Sequence, residues 1–197
     1  MKFMKQFLVA VAIMLFSNNA LAQNLTLAQI LEIKKMDLGN AEEYLTVKGW
    51  EFKNAEEPTD DKLGIASFTY NKSETSDLAE SFLKYFYDSY SDITRINIQI
   101  NKKVKYTEYL NSIKGYGCKL INSKVENGKI VKIYRGATTT FEIKSSTSSN
   151  YYNEESAIWT IFIVSNDDYD LNWGDRSDEL FPMSLWKQKP EEDFNKL

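Results

Sequence analysis

An acidic segment near the carboxyl end has the residue types and spacing of a calcium-binding loop. Side-chain oxygens recur at Asp168, Asp170 and Asn172, and Glu179 follows later in the same segment. In an EF-hand loop, oxygens at alternate positions and a closing glutamate converge on one calcium ion. Trp173, however, occupies the position where that loop needs glycine, and the preceding residues predict a strand rather than a helix. We therefore expect an acidic turn covered by the tryptophan, with calcium binding as the alternative.

The chain contains no histidine, which removes the commonest general base, imidazole metal ligands and Ser-His triads. Cys118 is the only cysteine, and we expect a small buried apolar residue rather than a nucleophile. A hydrolase based on two carboxylates is an alternative, but Glu42 and Glu43 are neighbours on one predicted helix, where they cannot face each other. Asp60 and Asp61 lie in a predicted loop. The sequence thus predicts a protein that is not an enzyme, with no catalytic, cofactor-binding or metal-binding residue.

Clustered tyrosines suggest a further alternative, a carbohydrate-binding module. Tyr85, Tyr87 and Tyr90 form one group, and Tyr151 and Tyr152 form another. Such rings can stack on sugars when they are exposed. Aromatic residues at strand spacing, however, more often belong to the core, with their hydroxyl groups at its rim.

The charge balance argues against nucleic acid as the main partner. The chain has 24 lysines and arginines against 28 aspartates and glutamates, a net charge of −4, and it has no long basic run. Binding to phosphates depends on clustered lysines and arginines. We expect a protein or a component of the cell envelope as the partner instead.

The first 22 residues have the three parts of an export signal. Lys2 and Lys5 form the basic start, residues 7–16 are uninterrupted apolar residues, and Ala-Leu-Ala at 20–22 supplies the cleavage site. The apolar run is about half of the roughly 20 residues that a membrane span needs. We expect cleavage near Ala22, no membrane span in the mature chain, and a secreted or periplasmic location.

Two stretches with matching sequences lead to the predicted architecture. One begins at Glu43 and reads E-Y-L-x-x-K-G-aromatic, and the other begins at Glu108 and reads E-Y-L-x-x-x-K-G-aromatic. Each is typical of an amphipathic helix that ends at a glycine. If the stretches are copies of one unit, Leu45 and Leu110 occupy equivalent positions.

Helix starts and turns have clear local signals. Thr26 and Gln29 match a capping box, and Asp37 can cap a second helix that ends at Gly49. Asn127 and Gly128 predict a type I′ turn, because both residues tolerate positive φ.

The strands are predicted from apolar periodicity. Residues 79–87 are rich in aromatics that favour a strand, although their spacing also allows a helix. Residues 95–101 alternate strictly between isoleucine and polar residues, which predicts one buried face. Residues 157–164 are apolar on both faces and predict a central strand. Residues 54–61 and 145–150 are polar and predict loops.

The predicted fold class is α+β, with two tandem repeats that each contain one or two helices and a four-stranded antiparallel meander. The domain boundaries are residues 1–22 for the signal peptide, 23–104 for the first repeat and 105–166 for the second repeat. Residues 167–197 form an acidic and aromatic tail that we expect to pack on the domain, with docking on a partner as the alternative. The apolar residues of this tail are Leu180, Phe181, Met183, Leu185 and Trp186.

The order of elements and the paired E-Y-L…K-G stretches distantly resemble the architecture of the beta-lactamase inhibitory protein. The composition and simple signal resemble those of uncharacterised secreted proteins of the Bacteroidota. The inhibitor's paired cysteines are absent, because this chain has only Cys118, so the resemblance transfers no functional residue. It implies that a sheet built by two repeats binds another protein. We therefore expect an exported non-catalytic binding protein.

Overall fold

In the described part of the chain, one antiparallel sheet of eight strands forms the centre of the fold, and three of the helices cover one of its faces. The computed structural model describes residues 25–74, 78–89, 91–149 and 155–172. In that part of the chain the helices are α1 (Leu27–Ile33), α2 (Leu38–Val47), α3 (Lys103–Gly115) and α4 (Asn166–Asn172). The strands are β1 (Trp50–Glu56), β2 (Gly64–Lys72), β3 (Ala79–Tyr87), β4 (Thr94–Ile100), β5 (Lys119–Glu126), β6 (Lys129–Arg135), β7 (Thr139–Ser149) and β8 (Glu155–Ser165).

The strand order is β1-β2-β3-β4-β8-β7-β6-β5, and all neighbouring strands are antiparallel. The first four strands form one meander and the last four form another. The meanders meet at β4 and β8, where Ile96 lies opposite Ile163 and Ile98 lies opposite Ile161. The predicted α+β class is confirmed, and β8 is central as predicted.

The two leading helices begin where the capping residues predict. Gln29 donates its backbone N–H to the Thr26 hydroxyl and accepts from the Thr26 backbone in return. Asp37 accepts the backbone N–H of Asn40 at 2.8 Å. Gly49 ends α2 in the left-handed region, with φ of 79°, where a Cβ would be strained.

The core lies between the sheet and the helices α1, α2 and α3. Two fully buried tyrosines connect these layers through their hydroxyl groups. Tyr85 on β3 donates to the carbonyl of Met36 at 2.6 Å, and Tyr109 on α3 donates to the carbonyl of Leu25 at 2.8 Å. Burial raises the pKa of Tyr85 to about 12. Each of these bonds contributes about 1 kcal/mol and fixes the position of the chain around α1.

Two strands are longer than the sequence predicts. β1 continues to Glu56 and β7 continues to Ser149, in segments that were predicted as loops. Neighbouring strands supply hydrogen-bond partners there, since Ala55 pairs with Ala66 and Ser145 pairs with Trp159. Backbone pairing therefore overrides the weak strand propensity of these polar residues.

Other strand and turn predictions are confirmed. Residues 79–87 form strand β3 rather than a helix, because both of its neighbours pair with it over most of its length. Asn127 and Gly128 both have positive φ, 50° and 75°, in the turn between β5 and β6.

The helices α2 and α3 place different residues of the matching stretches in the core. Leu45 is fully buried, whereas Leu110 is only partly buried at the edge of the core. The buried counterpart of Leu45 is Ile113, because each lies four residues before a glycine with positive φ, Gly49 or Gly117. Leu45 and Leu110 therefore differ in burial, and Ile113 rather than Leu110 shares both the burial of Leu45 and its spacing to a glycine.

The strands that follow these glycines share an irregularity. A bulge interrupts β1 between Phe52 and Asn54, and a bulge interrupts β5 between Leu120 and Asn122. Phe52 and Leu120 each lie three residues after the positive-φ glycine. On the helix-covered side, each of these residues starts a row of cross-strand neighbours that runs through its meander. The two rows are Phe52-Phe68-Leu83-Ile98 and Leu120-Tyr134-Phe141-Ile163.

Candidate functional site

The sheet has a second face, opposite α1, α2 and α3, which we call the open face. Its middle row crosses four neighbouring strands and consists of Lys84, Asn97, Phe162 and Glu142. These residues point away from the helices because the residues beside them in each strand, such as Leu83 and Ile98, are buried on the helix side. The open face therefore combines a cation, an amide, an aromatic ring and an acid in one line.

Aromatic side chains surround this row. Phe162 packs edge-on against Phe86, with ring centroids 6.0 Å apart. The Lys53 ammonium lies 5.5 Å from the centroid of the Phe82 ring, within the range of a cation–π contact. Phe82 and Phe162 are both half-buried. Aromatic rings are enriched at surfaces that bind other proteins, whereas lysines are depleted there, so the rings are the feature that favours binding.

Asn97 has an unmet hydrogen-bonding requirement. The residue is only 2 % exposed, and its Oδ1 has no partner in the part of the chain that the structure describes. Leaving such a group unpaired costs about 1–3 kcal/mol. The nearby Glu142, by contrast, forms an ion pair with Lys144, with 3.1 Å between its Oε1 and the lysine Nζ. Because the Asn97 Oδ1 is almost fully enclosed, an external donor can reach it only if the side chains around this residue move.

Helix α4 crosses one end of the open face. Asp168 binds Arg95 on β4, Asp170 binds Arg135 on β6, and the side chain of Asn166 accepts from Thr140 on β7. Each contact reaches a different strand, so α4 spans the junction between the two meanders. It marks one border of the open face.

The Arg95–Asp168 pair is the buried part of this attachment. The guanidinium donates to both carboxylate oxygens, at 2.8 and 2.9 Å, and each side chain is 6 % exposed. Asn172 donates a further hydrogen bond to Asp168 at 2.7 Å. Lys34 lies close enough for its pKa to respond: burial lowers the pKa of this lysine, and the charge of Asp168 acts in the opposite direction.

In these contacts the side chains of the acidic segment are hydrogen-bonded within the chain. Asp168 and Asp170 are matched by arginines, and Asn172 points its amide nitrogen at Asp168 rather than an oxygen at a metal. All three residues lie in a helix, not in a loop. Among the described residues, no group of three acids or cysteines is placed to hold a metal ion. Trp173 and Glu179 lie outside the described residues.

The tyrosines of the predicted carbohydrate platform separate into two groups. Tyr85 is buried in the core and Tyr87 stacks on it, with centroids 6.4 Å apart. Because its ring is enclosed, Tyr85 cannot stack on a sugar. Tyr90, Tyr151 and Tyr152 lie outside the described residues.

Cys118 is buried as predicted. Its thiol packs closely against Gly136, where an added Cβ would lie 2.8 Å from the sulfur. Burial raises the pKa of the Cys118 thiol, which keeps it protonated and unreactive.

The carboxylates considered for hydrolysis do not face each other. Glu42 accepts a hydrogen bond from Thr46 on the surface of α2, whereas Asp60 and Asp61 are exposed in the turn before β2. Glu42 thus has a partner on its own helix, and Asp60 and Asp61 are on the surface of a turn.

Sequence reasoning missed the burial of the polar face of β4. The alternation of residues 95–101 predicted one buried face, yet Arg95 and Asn97 are also buried, on the opposite side. The one feature of the sequence that could have indicated this burial is Arg95, a charged residue beside the isoleucines of a predicted strand. Its partner, Asp168, could not be identified because it follows much later in the chain.

The apolar residues predicted to pack back on the domain, from Leu180 to Trp186, lie outside the described residues. In the described part of the chain, none of the helices has the length and apolar character needed to cross a membrane. The chain matches no known protein-family model, no curated protein and no solved structure, so its function has to be argued from its own residues.

Proposed function

We propose that this chain is an exported, non-catalytic binding protein whose open face docks on a protein or cell-envelope partner. The export signal of residues 1–22 supports the location. The open face supports the activity, because its half-buried rings and charged groups are not needed to fill the helix-covered core. The lack of histidine, together with acids that are matched by lysines and arginines, supports binding rather than catalysis.

The observation that carries this proposal is Asn97. A buried amide oxygen without a partner lowers the stability of the folded chain. Natural proteins retain such groups mainly where they serve a function. Asn97 lies at the middle of the open face, between Lys84 and Phe162. We infer that docking of the partner displaces the side chains that enclose Asn97, so that a donor group reaches its Oδ1 while Phe162 supplies apolar contact.

We also infer that the two meanders arose by duplication of one unit. Asn97 on β4 lies opposite Phe162 on β8. A two-fold rotation about an axis midway between these two residues maps the cross-strand pair Ile96–Ile163 onto the pair Ile98–Ile161. The positive-φ glycines and the bulges correspond in the same way. The axis between the two copies then passes through the centre of the open face. The resemblance to the beta-lactamase inhibitory protein architecture implies that a sheet built by two repeats binds a partner protein.

The test compares binding and stability in one variant. Asn97→Leu replaces the unpaired amide with an apolar group of similar size, so the free energy of unfolding should rise by about 1–3 kcal/mol. Binding to the partner should weaken at the same time. Partners are recovered from cell-envelope extracts, purified, and titrated against the chain by calorimetry.

Two further variants complete the design. Phe162→Ala should weaken the same interaction, whereas Val47→Ser on the exposed surface of α2 should leave it unchanged. A purified partner that binds all of these variants as tightly as the original chain would exclude the open face as the docking site. If no partner is recovered above background, the proposed function itself fails.

The alternatives have less support. A carbohydrate-binding module depended on tyrosines of which Tyr85 is in the core. A carboxylate-based hydrolase needs two acids across a cleft, whereas Asp168 is bound by Arg95 and Glu142 by Lys144. We therefore rank both below partner binding.

A further inference from the structure

Strand β5 is an edge of the sheet and is unusually exposed. All eight of its residues are exposed, and among the described residues it pairs only with β6. Every second residue of an edge strand directs its N–H and C=O groups away from its neighbour. The outer edge of β5 can therefore pair with another strand.

The side of β5 that faces the helix layer is apolar. Leu120 and Val125 are 50 % and 77 % exposed, and Ile130 beside them on β6 is 49 % exposed. They remain exposed because α3 packs on α1 and β4, near the middle of the sheet, rather than over this edge. A strand added at this edge would place its own side chains beside Leu120 and Val125 and so reduce their exposure to water.

The other side of β5 carries Lys119 and Lys124, with Glu126 3.5 Å from the Lys124 ammonium, so it is basic on balance. Lys119 lies opposite Arg135, and Lys124 lies opposite Val131, on the open-face side of the sheet. Residues 119–135 contain five lysines and arginines and a single acid, in a chain whose net charge is −4. This edge thus has the opposite sign to the chain as a whole.

We propose that β5 binds an extended segment of a partner protein as a ninth strand, and that this segment alternates apolar and acidic side chains. Alternate residues of an added strand point to opposite faces of the sheet. Its apolar residues would therefore meet Leu120 and Val125, and its acids would meet Lys119 and Lys124. The backbone bonds supply affinity, and the alternating side chains supply specificity. The edge of β5 is separate from the middle row of the open face that contains Asn97 and Phe162, so the inference goes beyond the proposed function.

Other occupants fit this edge less well. Two copies of the chain paired through β5 with Lys119 opposite Lys124 would bring like charges together across the strands, which is unfavourable. Pairing of β5 with β1 of a second copy would leave a free edge at each end and form open chains rather than a closed dimer. A flat membrane surface cannot contact apolar and basic groups that point to opposite faces of one strand.

The test uses synthetic peptides as long as β5, eight residues. One alternates valine and glutamate, a second has the same residues in two blocks, and a third alternates valine and lysine. Their binding to the purified chain is measured by fluorescence anisotropy. We expect only the first to bind, with hydrogen-exchange protection of the β5 amides.

Charge reversal provides the matched control. In the double variant Lys119→Glu and Lys124→Glu, the glutamate peptide should bind roughly tenfold more weakly, and the lysine peptide should now bind. The variant Lys35→Glu and Lys62→Glu, which changes the net charge equally on exposed sites elsewhere, should bind as the original chain does.

Three results would overturn the inference. The first is equal binding of alternating and block peptides, and the second is protection confined to strands other than β5. The third is association of the chain with itself through β5, detected by analytical ultracentrifugation without peptide. None of these results bears on Asn97 or Phe162, so a failure here is distinguishable from a failure of the open-face proposal.

Discussion

Removing one side of the Arg95–Asp168 pair should destabilise the whole chain. In Asp168→Asn, the arginine remains 6 % exposed but loses its counter-charge. Breaking a buried, hydrogen-bonded ion pair in this way costs about 3–5 kcal/mol, because a charge is left without compensation in the interior. The cost is large here because both carboxylate oxygens accept from the guanidinium and Asn172 completes the arrangement.

The measurement is urea unfolding, followed by tryptophan fluorescence and far-UV circular dichroism. With a slope of roughly 2 kcal/mol per molar urea, a loss of about 4 kcal/mol lowers the midpoint by about 2 M. Coincident transitions by both probes would show that one cooperative step is being measured.

Asp170→Asn is the matched control, because it makes the same change two residues later on α4. Its partner, Arg135, is 29 % exposed and Asp170 is 55 % exposed, so solvent screens this pair and the midpoint should move much less. The double variant Arg95→Met with Asp168→Leu should be more stable than Asp168→Asn, since no charge remains buried. Equal midpoints for Asp168→Asn and Asp170→Asn would refute the reasoning.

Two other predictions concern packing and pH. Gly136→Ala should cost about 1–3 kcal/mol, because the new Cβ would lie 2.8 Å from the Cys118 sulfur; adding Cys118→Ala should restore much of the loss in urea unfolding, and purely additive effects would contradict this. The backbone N–H of Asn40 holds the pKa of Asp37 below its usual 3.8. This cap therefore stabilises the chain fully above that pH and is lost as the pH falls through the lowered pKa. Asp37→Asn keeps a capping oxygen without titrating. As the pH falls below 3.8, the original chain should therefore lose more stability than the variant, and parallel curves would argue against it.

The features that the sequence predicted well depend on neighbouring residues. The capping box at Thr26, the cap at Asp37 and the turn at Asn127-Gly128 need only residues within one turn of chain. Their hydrogen bonds form wherever the segment is placed. The helix starts and this turn were therefore predictable from the sequence.

The features that were missed depend on distant partners. Ser145 continues β7 because β8 lies beside it, and nothing in its own segment indicates a strand. Asp168, Asp170 and Asn172 have the spacing of a calcium loop, yet they lie in a helix, Asn166–Asn172, whose acids bind Arg95 and Arg135. The sequence contains the acids and the arginines but not their proximity, so the pairing was not predictable.

The candidate site was not predictable for a related reason. Alternation in β4 identifies two faces but does not identify which neighbours cover the polar one. Asn97 becomes a candidate only when Lys84 and Phe162 are known to lie on each side of it. The matching E-Y-L stretches correctly drew attention to the glycine-ended helices, but the buried Leu45 corresponds to Ile113.

The position of β8 has a consequence for how the chain folds. Among the described residues, the strand that joins the two meanders is the last in chain order, and α3, β5, β6 and β7 separate it from its partner β4. During synthesis, β1 to β4 can pair in order. The edge of β4 that faces away from β3 stays unpaired until β8 has been made. Contacts between such distant segments form slowly, because the intervening chain must first be ordered. Until β8 arrives, β4 exposes backbone groups and isoleucines that a neighbouring unfinished molecule can bind, which makes this interval the one in which the chain is most prone to aggregate.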